Sequence, residues 1–240
     1  MKPIILISSV LNLKDSKNNY LLNKNYVDAI RSAGGIPILA PVTNDLNDIK
    51  LYVSMCDGLL LPGGEDVSPI ILEEEPLRGI GYINIERDKF EFELFNEFRK
   101  HKKPILGICK GCQIIALSTG GKIYQDIFIQ HGNTIEHSQP EEQLDELFHS
   151  VSIDENSKLY ELFNSSKIRV NSWHHQAISS IGKNMKVTAK SIDGIIEAVE
   201  SLDGLIMGIQ WHPELLFKKH RKQLSIYKYL INQCIKIKKT

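Results

Sequence analysis

Hydrophobic positions along the chain fall into two kinds of run. The short, continuous ones are "PIILISSV", "IPILAPV", "DGLLLP" and "KPILGIC". Between them lie longer runs with helical spacing. "NKNYVDAIRSAGG" gathers Tyr26, Val27 and Ile30 on one side and stops at glycine, a helix with its ending signal. Residues 45–55 and 111–120 read as further helices. Residues 86–101 form a charged helix whose apolar stripe is Phe90, Leu94, Phe95 and Phe98. Continuous apolar strands alternating with helices predict a three-layer α/β fold, with a mostly parallel central sheet and helices on both faces.

The rhythm changes in the second half. "KIRVNSWHHQAI", "KVTAKS", "IIEAVES" and "LIMGIQWH" read as successive strands, a smaller and partly antiparallel set. A final amphipathic helix is expected from about Phe217 to Ile235. Two long acidic segments, "EDVSPIILEEEPLRGIGYIN" and "SQPEEQLDE", read as loops with solvated side chains. There is no internal repeat or low-complexity stretch, so one domain over residues 1–240 is expected.

Composition narrows the class. With 42% hydrophobic and 24% charged residues in 240, the chain can bury a sizeable core. Lys+Arg and Asp+Glu stand at 29 each, which leaves no net field to attract nucleic acid or an anionic membrane. The basic tail "CIKIKKT" reads as a frayed end. The opening apolar run is short, interrupted by Pro3 and without a cleavage site, so it reads as a buried strand rather than a signal peptide. No stretch is long enough for a membrane span. Four cysteines are too few for a disulfide scaffold, and a reducing cytoplasmic compartment is expected. The oligomeric state stays open, a homodimer among the options.

Candidate chemistry centres on "PILGICKGCQIIA". Cys109 and Cys112 in that stretch are a redox pair, half of a metal site, or one nucleophile with a bystander. Cys109 ends a strand and opens a helix between Gly107 and Gly111, the geometry of a nucleophile elbow. Amides and dipole at the helix start stabilise negative charge on such a sulfur, and the Lys110 amide can face an oxyanion. Cys112 lies one turn further on among Ile114, Ile115 and Leu117, where a small buried residue is the default. "WHPE" supplies His212 at the end of another strand. Glu214 is placed to orient one ring nitrogen and leave the other for the sulfur. Gly63 and Gly64 follow a third strand in "LLLPGGEDVSP", where an amide can approach a ligand closely.

Together these pieces resemble the class I glutamine amidotransferase-like proteins, and within them the gamma-glutamyl-gamma-aminobutyrate hydrolase family. "AGGIPILAP", "DGLLLPGGEDVSP", "ERDKFEFEL", "KPILGICKGCQIIALSTGGKIYQDI", "VNSWHHQAI", "DGIIEAVES" and "MGIQWHPE" follow the family's order across nearly the whole chain. The resemblance implies a flavodoxin-like fold. It implies Cys109 as nucleophile, His212 as general base and acid, and Glu214 as its orienter. It also implies an oxyanion hole from the amides of Gly64 and Lys110, shaped by Gly63. Gln113 and His174 fall at substrate-side positions, and His175 at a more ambiguous one. Arg87 and Asp88 match a family "RD" pair, read as structural at the helix start or as part of the pocket mouth. The implied activity is hydrolysis of a gamma-glutamyl amide through a thioester, with neither metal nor organic cofactor. The small-molecule substrate is then the expected partner, as in polyamine catabolism. Cysteine at position 112 departs from the family's usual residue and leaves a regulatory disulfide with Cys109 open. Three alternatives remain at this level. One is a glutaminase subunit serving a synthase. The second is a Cys-Lys-Gly-Cys redox protein. The third is a zinc site drawing on Cys109, Cys112 and His174 or His212.

Overall fold

A computed structural model of the chain describes residues 1–11 and 19–239. Part of the opening stretch and Thr240 of the basic tail therefore lie outside the described residues. The first half contains strands β1 (Ile4–Ser8), β2 (Val10–Leu11) and β3 (Tyr20–Leu21), then helix α1 (Lys24–Ala33), β4 (Ile36–Ala40), α2 (Leu46–Met55) and β5 (Gly58–Leu61). Next come α3 (Ile85–Lys100), β6 (Ile105–Ile108), α4 (Lys110–Ser118), β7 (Lys122–Tyr124) and α5 (Ile127–Gln130). The second half runs β8 (His149–Ile153), α6 (Lys158–Phe163), β9 (Lys167–Val170), β10 (Ala177–Ser180), β11 (Met185–Ser191), β12 (Ile196–Ser201) and β13 (Ile206–Ile209). Helices α7 (Pro213–Leu216) and α8 (Leu224–Ile237) finish it.

The main sheet has the order β4-β1-β5-β6-β13-β12-β11-β8-β9. From β4 to β13 every pairing is parallel. From β12 outward the strands pair antiparallel, and β10 joins β12 to β7. The antiparallel strands thus continue the parallel sheet.

Alternation along β1 shows how the three layers close. Ile5 and Ile7 pack in one cluster with Tyr26, Ala29 and Ile30 of α1 and with Ile226, Leu230 and Ile231 of α8. Leu6 between them packs with Ile49 and Val53 of α2, Phe90, Leu94, Phe95 and Phe98 of α3, and Ile115 of α4. Strand side chains alternate between faces, so both faces need an apolar cover. The helix ends follow their capping residues. Asn23 and Asp45 accept hydrogen bonds from Asn25 N–H and Asn47 N–H, and Gly34 closes α1 in the left-handed conformation.

Two predicted elements are broken. Residues 217–235 do not form one helix: α7 begins at Pro213, and α8 only at Leu224. The charged run Lys218–Lys222 offers no apolar residue to dock a continuous helix, and His220 is non-helical (φ −113°, ψ 78°). Likewise "KIRVNSWHHQAI" is not one strand. The ladder stops at Val170 and resumes at Ala177. Asn171, Ser172, His174 and Gln176, though buried, bond to groups outside any ladder.

Phe95, with no exposed surface, sits where truncation leaves a cavity. Phe95→Ala should cost about 3–5 kcal/mol in urea unfolding. Ile192→Ala, at an 84% exposed position, should fall within about 0.5 kcal/mol of the parent.

Candidate active site

The ends of β1, β5, β6 and β13 open on one side of the sheet, and four stretches of chain meet there. Cys109 follows β6 directly, with φ 50° and ψ −107°. A non-glycine residue in that region stores roughly 1–3 kcal/mol of strain. Its surroundings enforce the conformation. The Cys109 N–H donates to the Ile209 carbonyl at 2.7 Å, and its carbonyl accepts from the Cys112 N–H at 2.9 Å. Helix α4 must then turn back tightly over the sheet. A β-carbon at Gly107 would overlap the Gly111 carbonyl, and one at Gly111 would overlap the Leu61 carbonyl. Both glycines are required by close approach.

Because β6 and β13 pair in parallel with Ile108 opposite Ile209, the segment after β13 lies beside Cys109. Gln210 Nε2 contacts the Cys109 sulfur at 3.6 Å. His212 Nδ1 is 2.7 Å from Glu214 Oε1, and its buried Nε2 makes no hydrogen bond to the described residues. Burial works against protonation of this ring. The Glu214 carboxylate and the neighbouring Cys109 sulfur outweigh it and hold the His212 pKa well above the ordinary value. The position of Gly63 measures how closely the parts meet: a β-carbon there would lie 2.9 Å from His212 Cε1 and 3.4 Å from Cys109 Cβ. Asn171 fixes the His212 backbone from both sides, accepting from its N–H at 2.9 Å and donating to its carbonyl at 3.0 Å.

The Gly63–Gly64 turn is held from beneath by Arg87. This guanidinium, fully buried, donates to the carbonyls of Pro62 (3.0 Å) and Gly63 (3.1 Å) and to Glu65 (2.7 Å) and Glu91 (2.8 Å). A β-carbon at Gly64 would overlap its Nη1. Asp88 binds Lys110 Nζ at 2.7 Å and accepts from the Ser68 N–H at 2.9 Å. The "RD" pair is therefore structural: it lies under the turn, away from the pocket mouth. The Gly63 N–H donates to the Tyr26 hydroxyl at 2.9 Å, whereas the Lys110 amide opens a helix, where no intrahelical acceptor exists.

A cleft of about 560 Å³ lies above these groups, lined by Gly63, Gly64, Cys109, Lys110, Gln113, His174 and His212 among others. Every residue singled out in the sequence for this chemistry is thus at or beside one cavity, with qualifications. Gln113 Nε2 donates to the Gln176 carbonyl at 2.9 Å. His174 places Nδ1 at the Gln176 carbonyl (3.1 Å) and Nε2 toward Glu197 (3.8 Å), so both its nitrogens face protein. Burial, only partly offset by Glu197, pushes the His174 pKa below its usual value. His175 points elsewhere, to Asp66 at 2.9 Å and Asp126 at 3.3 Å. All four cysteines are free, and Cys112 is fully buried against Gly208, its thiol pushed well up by burial. Cys112 does not line the cleft. Sequence reasoning passed over Tyr26, Gln210 and Asn171. Gln210 and Asn171 stand inside motifs already noted, "GIQWHPE" and "VNSWHHQ"; Tyr26 looked like part of an apolar stripe.

An elbow cysteine, a carboxylate-bound histidine on the adjacent strand end, and a glycine turn define the class I glutamine amidotransferase-like type. The chain belongs to the Peptidase C26 family, whose model matches residues 3–214. Its relatives include protein NtpR of Enterococcus hirae, 33% identical over 88% of each chain. Another is gamma-glutamyl-gamma-aminobutyrate hydrolase PuuD of Escherichia coli, 28% identical over 97% of this chain and 93% of that protein. A glutamine amidotransferase from Thermotoga maritima shares the fold, with a TM-score of 0.60 at 17% identity over 99% of this chain and 86% of that one. The family places the protein among glutamine amidotransferase-like hydrolases. Among the described residues no helix is long and apolar enough to cross a membrane.

The network under the turn generates a pH prediction. Burial raises the Glu65 pKa, but Arg87 and Lys110 overcome it and hold the carboxylate below its usual value. A depressed acid stabilises the fold fully above its unfolded pKa, near 4.3, and that contribution fades as pH falls through the folded value. Glu65→Gln should therefore lower Tm near pH 7, and the gap to the parent should narrow as pH falls below the unfolded carboxyl value of about 4.3. Arg87→Met leaves buried Glu91 without its cationic partner and should cost about 3–5 kcal/mol in urea unfolding.

Proposed function

We propose that the protein is a cysteine hydrolase of gamma-glutamyl amides. The observation that carries this is the placement of the Cys109 sulfur on a strained elbow in the wall of a cleft, beside an imidazole held at 2.7 Å by Glu214. The name of the PuuD relative supports the gamma-glutamyl class of substrate.

In this mechanism the Cys109 thiolate attacks the carbonyl carbon of the gamma amide. A C–S bond forms, and the carbonyl π pair moves to oxygen, where the amides of Gly64 and Lys110 receive it. The tetrahedral species collapses with cleavage of the C–N bond, and imidazolium His212 gives its proton to the departing amine. A gamma-glutamyl thioester remains on Cys109. Neutral His212 then takes a proton from water, and the hydroxide adds to the thioester carbonyl. The C–S bond breaks to release glutamate and return the thiolate–imidazolium pair. Glu214 keeps the ring oriented and balances its charge throughout. No metal or organic cofactor takes part. Gln113, bonded to Gln176, and the ring of His174 form the wall for the glutamyl head. The leaving amine lies toward Asp66, Asp126 and Phe128, which line the same cleft.

Glutamate release from a panel of gamma-glutamyl amines and glutamine, with no partner protein present, tests the proposal. Turnover of gamma-glutamyl amines supports it; release from glutamine alone favours an amidotransferase subunit. Cys109→Ala should abolish turnover, and Cys112→Ser should keep most of it. Equal loss in both overturns the assignment. Glu214→Gln should reduce kcat by roughly 10²–10⁴-fold.

A further inference from the structure

Behind the cleft wall, three imidazoles converge on one carboxylate. Glu197, on β12, has no exposed surface, and His137, His149 and His174 are buried around it. Its Oε1 lies 3.4 Å from His137 Nδ1, 3.5 Å from His149 Nε2 and 3.8 Å from His174 Nε2. The four residues come from four separate stretches of chain: the segment after α5, the start of β8, the irregular link before β10, and β12 itself.

The far nitrogen of each ring faces an oxygen that can only accept. His137 Nε2 is 3.0 Å from the Asp193 carboxylate, His149 Nδ1 is 3.3 Å from the Ser150 carbonyl, and His174 Nδ1 is 3.1 Å from the Gln176 carbonyl. A neutral imidazole has one N–H, and in each ring that oxygen takes it. The nitrogen turned toward Glu197 is then a bare lone pair. Ser172 Oγ, 3.4 Å from His137 Nδ1, cannot supply the missing proton, because its hydroxyl donates to the His137 carbonyl at 2.9 Å. Among the described residues no hydrogen bond reaches either Glu197 oxygen, His149 Nε2 or His174 Nε2. Lone pairs and a carboxylate gathered away from water repel one another unless positive charge lies among them.

Donor type and spacing select the cation. Ligand atoms of His137, His149 and Glu197 all lie within 4.8 Å of one another. A tetrahedral zinc ion, with bonds of about 2.0–2.1 Å, sets its donors roughly 3.4 Å apart. Imidazoles with one carboxylate suit zinc, whereas calcium and magnesium take oxygen sets. A second ring nitrogen tied to a carboxylate or a backbone carbonyl is how metal-binding histidines are commonly oriented. We propose that His137, His149 and Glu197 form a zinc site; His174, whose Nε2 is 3.8 Å from Glu197 Oε1, lies outside that mutually close group and would become the fourth ligand only by a small side-chain movement. This departs from the expectation of no metal and uses none of the cysteines. It stands independently of the chemistry assigned to Cys109. Because His174 faces Glu197 and also lines the cleft, the ion would lie directly behind that wall.

Full-length protein, purified without chelator or added metal, should contain about one zinc per chain by mass spectrometry of the metals. Protein stripped by a chelator and titrated with cobalt(II) chloride should develop the visible absorption of tetrahedral cobalt, saturating at about one equivalent. Its Tm should rise with binding. Either zinc on purification or the saturating cobalt spectrum supports the site. His149→Gln and Glu197→Gln should weaken cobalt binding at least about 10-fold, and Cys109→Ala should leave it unchanged. Should those two variants fail to fold, the wild-type titration decides. Absence of both zinc and a saturable tetrahedral spectrum in folded wild-type protein overturns the proposal and makes the cluster one held by protons. Undiminished binding in folded His149→Gln overturns it as well.

Discussion

The parallel register of β6 against β13 is the constraint on which the site depends. With Ile108 opposite Ile209, the two chains leave the sheet side by side, and the first hydrogen bond beyond the ladder joins Cys109 N–H to the Ile209 carbonyl. The sulfur and the imidazole are brought together by strand pairing before any side chain selects a rotamer. A shift of one residue would turn each strand's buried set to the opposite face, so the burial of Leu106, Ile108, Met207 and Ile209 protects the register. Core packing and site geometry are here one requirement.

Charge is handled differently on the two sides of the cleft. Under the Gly63–Gly64 turn, cationic Arg87 and Lys110 interleave with Glu65, Asp88 and Glu91, and each buried group finds an opposite partner. Such networks add little net stability compared with an apolar core of the same shape. They do specify one geometry, because the guanidinium makes four directed hydrogen bonds, to Glu91, Glu65 and the carbonyls of Pro62 and Gly63. Behind the opposite wall the partners of Glu197 are imidazoles rather than permanent cations, and their charge depends on what lies between them.

Much of this could be read from residue order. The parallel half was visible because its strands are buried on both faces and so appear as unbroken apolar runs between helices. Cys109 and His212 were visible because each follows such a run, and Glu214 because it stands two residues beyond His212 in "WHPE". The sequence signal failed where a side chain serves a backbone distant in the chain. Asn171 looks like a strand residue until the His212 peptide is seen in its grip, and Ala177 must restart the ladder after that detour. The break at His220 was hidden because helical periodicity tolerates a charged stretch that has nothing to dock against. His137 and His149 were unremarkable singly; only the fold, by laying β8 near β12, makes them neighbours of Glu197.

The phenol of Tyr26 has a consequence beyond its packing. By taking the Gly63 N–H, it stops that peptide plane from rotating, so the amide that follows has its direction set in advance. The anchor is on α1, an element that contributes nothing else to the reacting groups. A small slide of α1 along the sheet would therefore be felt as a tilt of the glycine turn. A change made on the outer surface of that helix would have a mechanical route to the sulfur.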